Sequence, residues 1–280
     1  MELLTTIGQV REWRRASGAT SVGLVPTMGY LHAGHVSLVE RARRENQRVA
    51  ASIFVNPTQF GPSEDLARYP RDLERDRALL AGAGCDAVFV PEVAEMYPPG
   101  AGTLVDAGPV ASPLEGERRP GHFRGVATVV LKLFGIVQPT RAYFGEKDAQ
   151  QLAVIRRMTR DLDVPVDVVG CPTVREPDGL ALSSRNSYLT PDERRAASVL
   201  YRALTTSRDL LLSGERRGDA LRRALRLTLE GEPLVRVDYA SVADPDSFRE
   251  LDTVAGPALL LLAAFLGRAR LIDNLRVEAD

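Results

Sequence analysis

The sequence predicts an α/β protein: a Rossmann-like parallel-sheet domain, followed by a smaller α+β C-terminal domain. From Ser21 to Val169, short β-branched runs alternate with amphipathic stretches of helical length, the pattern of strands joined by crossover helices on both faces of a sheet. Near Thr173 the alternation gives way to a polar, Gly- and Ser-containing segment, REPDGLALSSRN. Beyond it, two Arg-rich amphipathic stretches precede three strand-like runs, which reads as a small α+β unit. A chain of 280 residues, 44% of them hydrophobic, is long enough for two unequal domains with full cores, and the boundary is expected between 1–173 and 174–280.

Taken in order, the expected strands of the first domain are Val22–Pro26, Val49–Val55, Asp86–Val90, Arg141–Gly145 and Val166–Val169. Between them, His35–Arg44, Arg71–Ala83, Gly125–Val137 and Ala149–Asp161 place apolar residues near i, i+3 and i+4, the spacing of a helix with one buried face. In the second domain, Pro191–Leu212 and Glu215–Leu229 carry the same helical spacing. Val235–Ser241, Ala258–Leu266 and Ala269–Val277 are apolar runs of strand length.

Composition removes several classes of function. A formal net charge of -1, with no dense Lys/Arg run among aromatics, lacks the positive field that nucleic-acid binding needs. The longest apolar run, Pro257 to Leu266, is half of the roughly 20 residues that a membrane-spanning helix requires. The opening MELLTTIGQVREWRR has no continuous apolar stretch of the signal-peptide kind, so a cytoplasmic protein is expected. Cys85 and Cys171 follow no C-x-x-C spacing and are too few for a disulfide framework, which fits buried packing residues in a reducing compartment. Of 36 basic residues only Lys132 and Lys147 are lysines.

The chemistry-bearing residues gather where expected strands end. PTMGYLHAGH follows the first strand and opens a helix; in an open α/β sheet ligands bind at strand carboxyl ends, and N–H groups at a helix start attract anions. His32 and His35, three apart, face the same way and are candidates to donate to phosphate oxygens, each donor being worth about 3–4 kcal/mol in a transition state. A metal site is the weaker reading of H-x-x-H here, because no third ligand stands at a suitable spacing. FVNPTQF ends the second strand with Asn56 and Gln59, whose amides suit a hydroxyl or carboxylate, although Asn-Pro also makes ordinary turns. Asp76, on an acidic helix, is a candidate to help hold a hydrated magnesium ion. GHFRGV places His122 and Arg124 at a helix start, where a simple cap is an alternative reading.

YFGEKDAQQ leaves the fourth strand carrying Lys147, a compact ammonium in a chain that otherwise uses planar guanidinium groups. Asp148 is placed to accept from a ribose hydroxyl and Gln151 to reach a substrate. LSSRN offers Ser183, Ser184 and Arg185 as donors from a lid-like second domain.

PTMGYLHAGH, FVNPTQF, GHFRGV, YFGEKDAQQ and LSSRN, in this order from residue 26 to 186, together resemble the signature of the pantothenate synthetase family. HAGH is also similar to the H-x-G-H motif of nucleotidyltransferases and class I aminoacyl-tRNA synthetases, and LSSRN to their KMSKS-like loop. The resemblance implies an ATP-dependent ligase joining pantoate to β-alanine through a pantoyl adenylate, with Mg2+, as a homodimer formed through the N-terminal domain. It implies that His32 and His35 stabilise the phosphates, with Met28 and Gly29 backing the nucleotide. Lys147, Ser183, Ser184 and Arg185 would hold the β- and γ-phosphates, and Asp148 with Gly145 the ribose. Gln59 and Gln151, with Thr27 and Met28, would hold pantoate, and Asp76 would assist magnesium; positions Arg118–Gly121 carry over less directly. HAGH alone also fits an enzyme that joins a nucleotide to a phosphorylated acceptor, or a non-catalytic nucleotide-binding protein on the same fold. The paired glutamines and the lack of an extra basic acceptor pocket favour the ligase.

Overall fold

In the computed structural model, which describes residues 1–62 and 64–278, the apolar runs of the first half pair into a parallel sheet. The chain forms two units, one of Met1–Glu146 with Gln150–Pro172, the other of Lys147–Ala149 with the residues from Thr173 onward.

The first unit runs β1 (Glu2–Leu4), α1 (Ile7–Ala16), β2 (Val22–Thr27), α2 (Ala33–Glu45), β3 (Arg48–Ile53), α3 (Leu73–Gly82), β4 (Ala87–Phe89), α4 (Val93–Met96), α5 (Glu115–Arg118), α6 (His122–Val137), β5 (Arg141–Gly145), α7 (Ala149–Asp161, of which Ala149 groups with the other unit) and β6 (Asp167–Cys171). The strand order is β1-β4-β3-β2-β5-β6, all parallel. Nearly every residue of β2 is buried, the mark of a strand covered on both faces. Val25, Val49, Ala51, Val88 and Tyr143 pack with Leu38, Val39 and Ala42 of α2 and Leu80 of α3.

The order reverses at β2. From it the chain goes outward through β3 and β4 on one side, while β5 and β6 build the other, so the crevice at the carboxyl ends of β2 and β5 is the topological switch point. Thr27 and Gly145 end those two strands.

The second unit contains α8 (Pro191–Ala196), α9 (Val199–Leu212), α10 (Gly218–Glu230) and an antiparallel sheet of β7 (Val235–Ala243), β8 (Ala258–Leu266) and β9 (Ala269–Val277), with β8 central. Leu200, Leu204 and Leu211 of α9 and Leu221, Leu225 and Leu229 of α10 pack with Leu260, Leu262 and Ala264 of β8 in one core.

The ranges of β5, α7, β8 and β9 agree with those expected from sequence, and three differences have physical causes. The N-terminal segment, given no element from sequence, supplies the short edge strand β1 and helix α1, closed by a capping box between Thr6 and Gln9. The single helix expected over Pro191–Leu212 is broken between Ala196 and Val199, where the Ser198 hydroxyl donates to the Arg195 carbonyl at 3.0 Å and competes with the helical ladder. α10 starts at Gly218 rather than Glu215, because Arg217 bridges to Thr253 and the Gly218 N–H donates to the Asp252 carbonyl at 2.8 Å. Among the described residues, no helix is long and apolar enough to cross a membrane.

Candidate active site

At the end of β2 the Thr27 hydroxyl donates to the Ser52 carbonyl at 2.7 Å and accepts from the Gly29 N–H at 3.1 Å, which turns the chain out of the sheet. Gly29 and Tyr30 then take positive φ values of 81° and 51°. Glycine is required at 29, since a Cβ there would stand 2.9 Å from Ile53 Cγ2 and 3.0 Å from Asp76 Oδ2. The tyrosine is held in a conformation that L-residues seldom adopt by the buried carboxylate of Asp76 on α3. Oδ2 accepts from the Tyr30 N–H and Oδ1 from the Leu31 N–H, each at 2.7 Å.

The loop ends in an unusual helix start. His32 is the N-cap of α2, its Nδ1 accepting from the Gly34 N–H at 3.2 Å, while His35 Nδ1 accepts from the His32 N–H at 3.4 Å. Two imidazoles thus play the parts that Ser or Thr and Glu play in a capping box. Because each Nδ1 accepts, each neutral ring carries its proton on Nε2, so both rings present Nε2–H donors. Their centroids are 4.1 Å apart.

The turn after β3 is ordered by Asn56, which is buried. Its Oδ1 accepts from Thr58 N, Thr58 Oγ1 and Tyr97 OH at 3.3, 2.9 and 3.0 Å, and its Nδ2 donates to Gln59 Oε1 at 3.0 Å and to the Gly125 carbonyl at 3.2 Å. The Gln59 amide is thereby fixed with Nε2 facing Met28 Sδ, 3.2 Å away. A thioether is a weak acceptor, so the donor end of Gln59 has bonding capacity to offer a ligand.

His122, at the start of α6, is buried between two partners. Arg119 Nη1 donates to its Nε2 at 2.9 Å, and its Nδ1 meets the Gln59 carbonyl at 2.8 Å. Burial, helped by the Arg119 charge, pulls its pKa down to about 4. Arg124, two residues along and so on another face of the helix, instead makes an exposed ion pair with Asp106 at 3.0 Å.

Gly145 closes β5 with open space where a Cβ would project. The 3-10 turn Glu146–Asp148 carries Lys147 and Asp148 into α7, on whose first turn Gln151 is half-buried. Its neighbour Gln150 is buried, donating to the Val110 and Pro113 carbonyls and accepting from the Glu115 N–H, a structural anchor. In the second unit Lys147 and Ser183 border one crevice with Asn186 and Asp273, too narrow to hold a water molecule. Ser183 caps the 3-10 turn Ser184–Tyr188, accepting from the Arg185 N–H at 3.3 Å; Ser184 is buried and Arg185 half-buried. The expected residues therefore form two groups. Thr27, Met28, Gly29, His32, His35, Gln59 and Asp76 surround the carboxyl ends of β2 and β3 in the first unit, and Lys147 joins Ser183 in the second.

The family model for pantoate-β-alanine ligase matches residues 2–276. The chain belongs to this family. A pantothenate synthetase of Roseiflexus sp. (strain RS-1) is 63% identical over 279 residues, covering 100% of both chains, and one from Moorella thermoacetica is 57% identical over 282 residues, again covering 100% of both. Among solved structures, pantothenate synthetase from Thermus thermophilus superposes with a TM-score of 0.94 at 55% identity, covering 98% of this chain and 99% of that one. Pantoate-β-alanine ligase from Francisella tularensis, complexed with β-γ ATP and β-alanine, gives a TM-score of 0.81 at 35% identity, covering 98% of this chain and 97% of that one.

In the first unit the structure brings Glu64 to Arg119, a residue of the Arg118–Gly121 stretch, and in the second it brings Asn274 to Lys147; Glu64 and Asn274 have no counterpart among the residues picked from sequence. Glu64 accepts two bonds from Arg119 at 2.9 and 2.8 Å and so orients the guanidinium that donates to His122. Asn274 of β9 donates from Nδ2 to the Lys147 carbonyl at 2.7 Å, next to Asp273, which is paired with Arg175 at 2.6 and 2.9 Å. The one sequence signal for the latter pair is the succession of two polar residues inside the apolar strand LIDNL.

Proposed function

We propose that this protein ligates pantoate to β-alanine at the expense of ATP, by way of a pantoyl adenylate, releasing AMP and pyrophosphate. The observation that carries the reading is the pair of reciprocal histidine caps at the switch point, which sets two Nε2–H donors at a helix start. A carboxylate oxygen of pantoate attacks the α-phosphorus of ATP; the bond from that phosphorus to the bridging oxygen breaks and pyrophosphate leaves. The β-alanine amine then attacks the acyl carbon, loses a proton, and the acyl–oxygen bond to AMP breaks. No side chain is covalently modified.

In this reading His32 and His35 meet the charge that grows on the phosphates, with Met28 and Gly29 beside the nucleotide. Lys147, Ser183, Ser184 and Arg185 take the β- and γ-phosphates, and Asp148 and Gly145 the ribose. Gln59, whose amide is already oriented, holds pantoate with Gln151, Thr27 and Met28. The part from 174 to 280 acts as a lid domain that keeps water from the mixed anhydride.

The side chains present do not fit a magnesium site of the protein's own. Among the described residues, no group of three or more His, Cys, Asp or Glu is placed to hold a metal, and both oxygens of Asp76 accept main-chain N–H groups. We therefore treat Mg2+ as part of the nucleotide substrate and give Asp76 the task of holding the Gly29–Leu31 loop. Two buried free cysteines suit a cytoplasmic setting, with the Cys85 thiol pushed up to about 12 by burial. The family resemblance supports a homodimer formed through the N-terminal domain.

Isotope exchange tests the reading. Labelled pyrophosphate enters ATP when pantoate is supplied without β-alanine; exchange that fails to appear, or that needs β-alanine, removes the acyl-adenylate route.

A further inference from the structure

GHFRGV is the motif whose residues have no part in the chemistry above, and the structure gives it one. Gln59 sits on a one-turn 3-10 element, Pro57–Gln59, that has no regular partner strand. The amino end of α6 seats that turn in two ways. Gly125 packs so tightly against it that a Cβ would fall 2.3 Å from the Thr58 carbonyl oxygen and 2.7 Å from the Gln59 nitrogen. His122 reaches the Gln59 carbonyl at 2.8 Å.

The roles within that contact are fixed by what each partner can do. Arginine only donates, so His122 Nε2 accepts from Arg119. A carbonyl only accepts, so Nδ1 carries the proton and donates to Gln59. One neutral tautomer satisfies both ends. Arg119 is in turn set by Glu64 through a two-pronged pair at 2.9 and 2.8 Å, the geometry in which a guanidinium is most firmly oriented. A chain Glu64–Arg119–His122 therefore ends on the main chain of the residue whose amide faces Met28.

We infer that His122 is a positioning residue for pantoate, acting through the main chain of Gln59 and setting where that side chain meets the substrate. The inference rests on the reading of Gln59 as a pantoate residue. His122 touches neither substrate nor reacting atoms and acts as a neutral donor. Burial and the adjacent Arg119 charge hold its pKa to about 4, so the ring stays in that form throughout the neutral range.

A double-mutant cycle on the full-length protein tests this with steady-state kinetics for all three substrates. His122→Ala is expected to raise the pantoate KM about tenfold, the size of one lost buried hydrogen bond, with the ATP and β-alanine KM values changing less than about twofold. His122→Asn, which keeps a donor near the position of Nδ1, is expected to recover most of that loss and remains informative where the alanine variant fails to fold. In a Gln59→Ala background, which retains the carbonyl but lacks the amide, His122→Asn and His122→Ala are expected to change the pantoate KM by less than about twofold. A Gln59→Ala enzyme with an unaltered pantoate KM overturns the parent reading of Gln59 and the inference with it. A Gln59→Ala defect accompanied by normal His122 variants, by full additivity, or by equal rises in all three KM values overturns the inference alone.

Discussion

The loop that presents His32 and the turn that presents Ser183 are both polar segments leading into helical elements, yet the hydrogen bonds found in them differ in span. Asp76 braces the first from 46 and 45 positions away, and His122 and Asn56 tie the adjoining Gln59 turn to α6 across 63 and 69. The hydrogen bonds of Ser184–Tyr188 include short-range ones that span 2, 3 and 5 positions, Ser183 to Arg185, Ser187 to Ser184 and Asn186 to Ala181, while Tyr188 packs on the core of its own unit with Arg268 over its ring, 5.9 Å from the centroid. A segment hydrogen-bonded to distant elements of the sheet unit moves only when that core does, whereas a turn with local hydrogen bonds, packed on its own unit, moves with that unit. The first arrangement suits donors that must wait in place for a transition state, and the second suits a closing element.

Removing the distant brace gives the largest expected effect. Asp76→Ala deprives the Tyr30 and Leu31 N–H groups of charged acceptors and should lower unfolding free energy in urea by about 4 kcal/mol. A loss below about 1 kcal/mol would mean that the loop holds itself. The second effect is in pH. His122 has a folded pKa of about 4 against an ordinary 6.5, so the unfolded chain binds the proton first. Its contribution is complete above about pH 6.5, falls as pH drops toward 4, and amounts to about 3 kcal/mol over that window, which His122→Asn should flatten in urea titrations.

On the other side of the comparison, effects should fall on rate rather than stability. Lys147→Ala should slow pyrophosphate exchange by about two orders of magnitude while the thermal melt stays within a few degrees. An unchanged rate would take the ammonium out of the site. Ser183→Ala is expected to cost about 1 kcal/mol or less of stability, the usual size of a lost cap, while still slowing exchange measurably. A stability loss as large as that of Asp76→Ala would erase the distinction.

The same division explains what could be read in the sequence. Elements governed by periodicity were legible, as with Ala149–Asp161 and Ala258–Leu266, and so were short motifs such as HAGH, whose meaning lies in neighbouring residues. β1 was not, since three residues with a single buried side chain carry no period. The contacts of Asp76, Arg119 and Asn274 were also hidden, because each links positions that only the folded topology brings together. The sequence marks Asp76 as a magnesium candidate on an acidic helix, and its burial at 1% exposure, with both oxygens on main-chain N–H groups, is what points to a different task.

The scarcity of lysine has a practical corollary. Guanidinium groups stay protonated and resist acylation at neutral pH, so an amine-reactive probe meets only two side chains in the whole protein. Lys132 extends over the Tyr97 ring, its nitrogen 5.7 Å from the centroid, and Lys147 borders the crevice beside Ser183. Mass spectrometry of the labelled chain can thus follow the accessibility of Lys147 from a single peptide, with the Lys132 peptide as its internal standard.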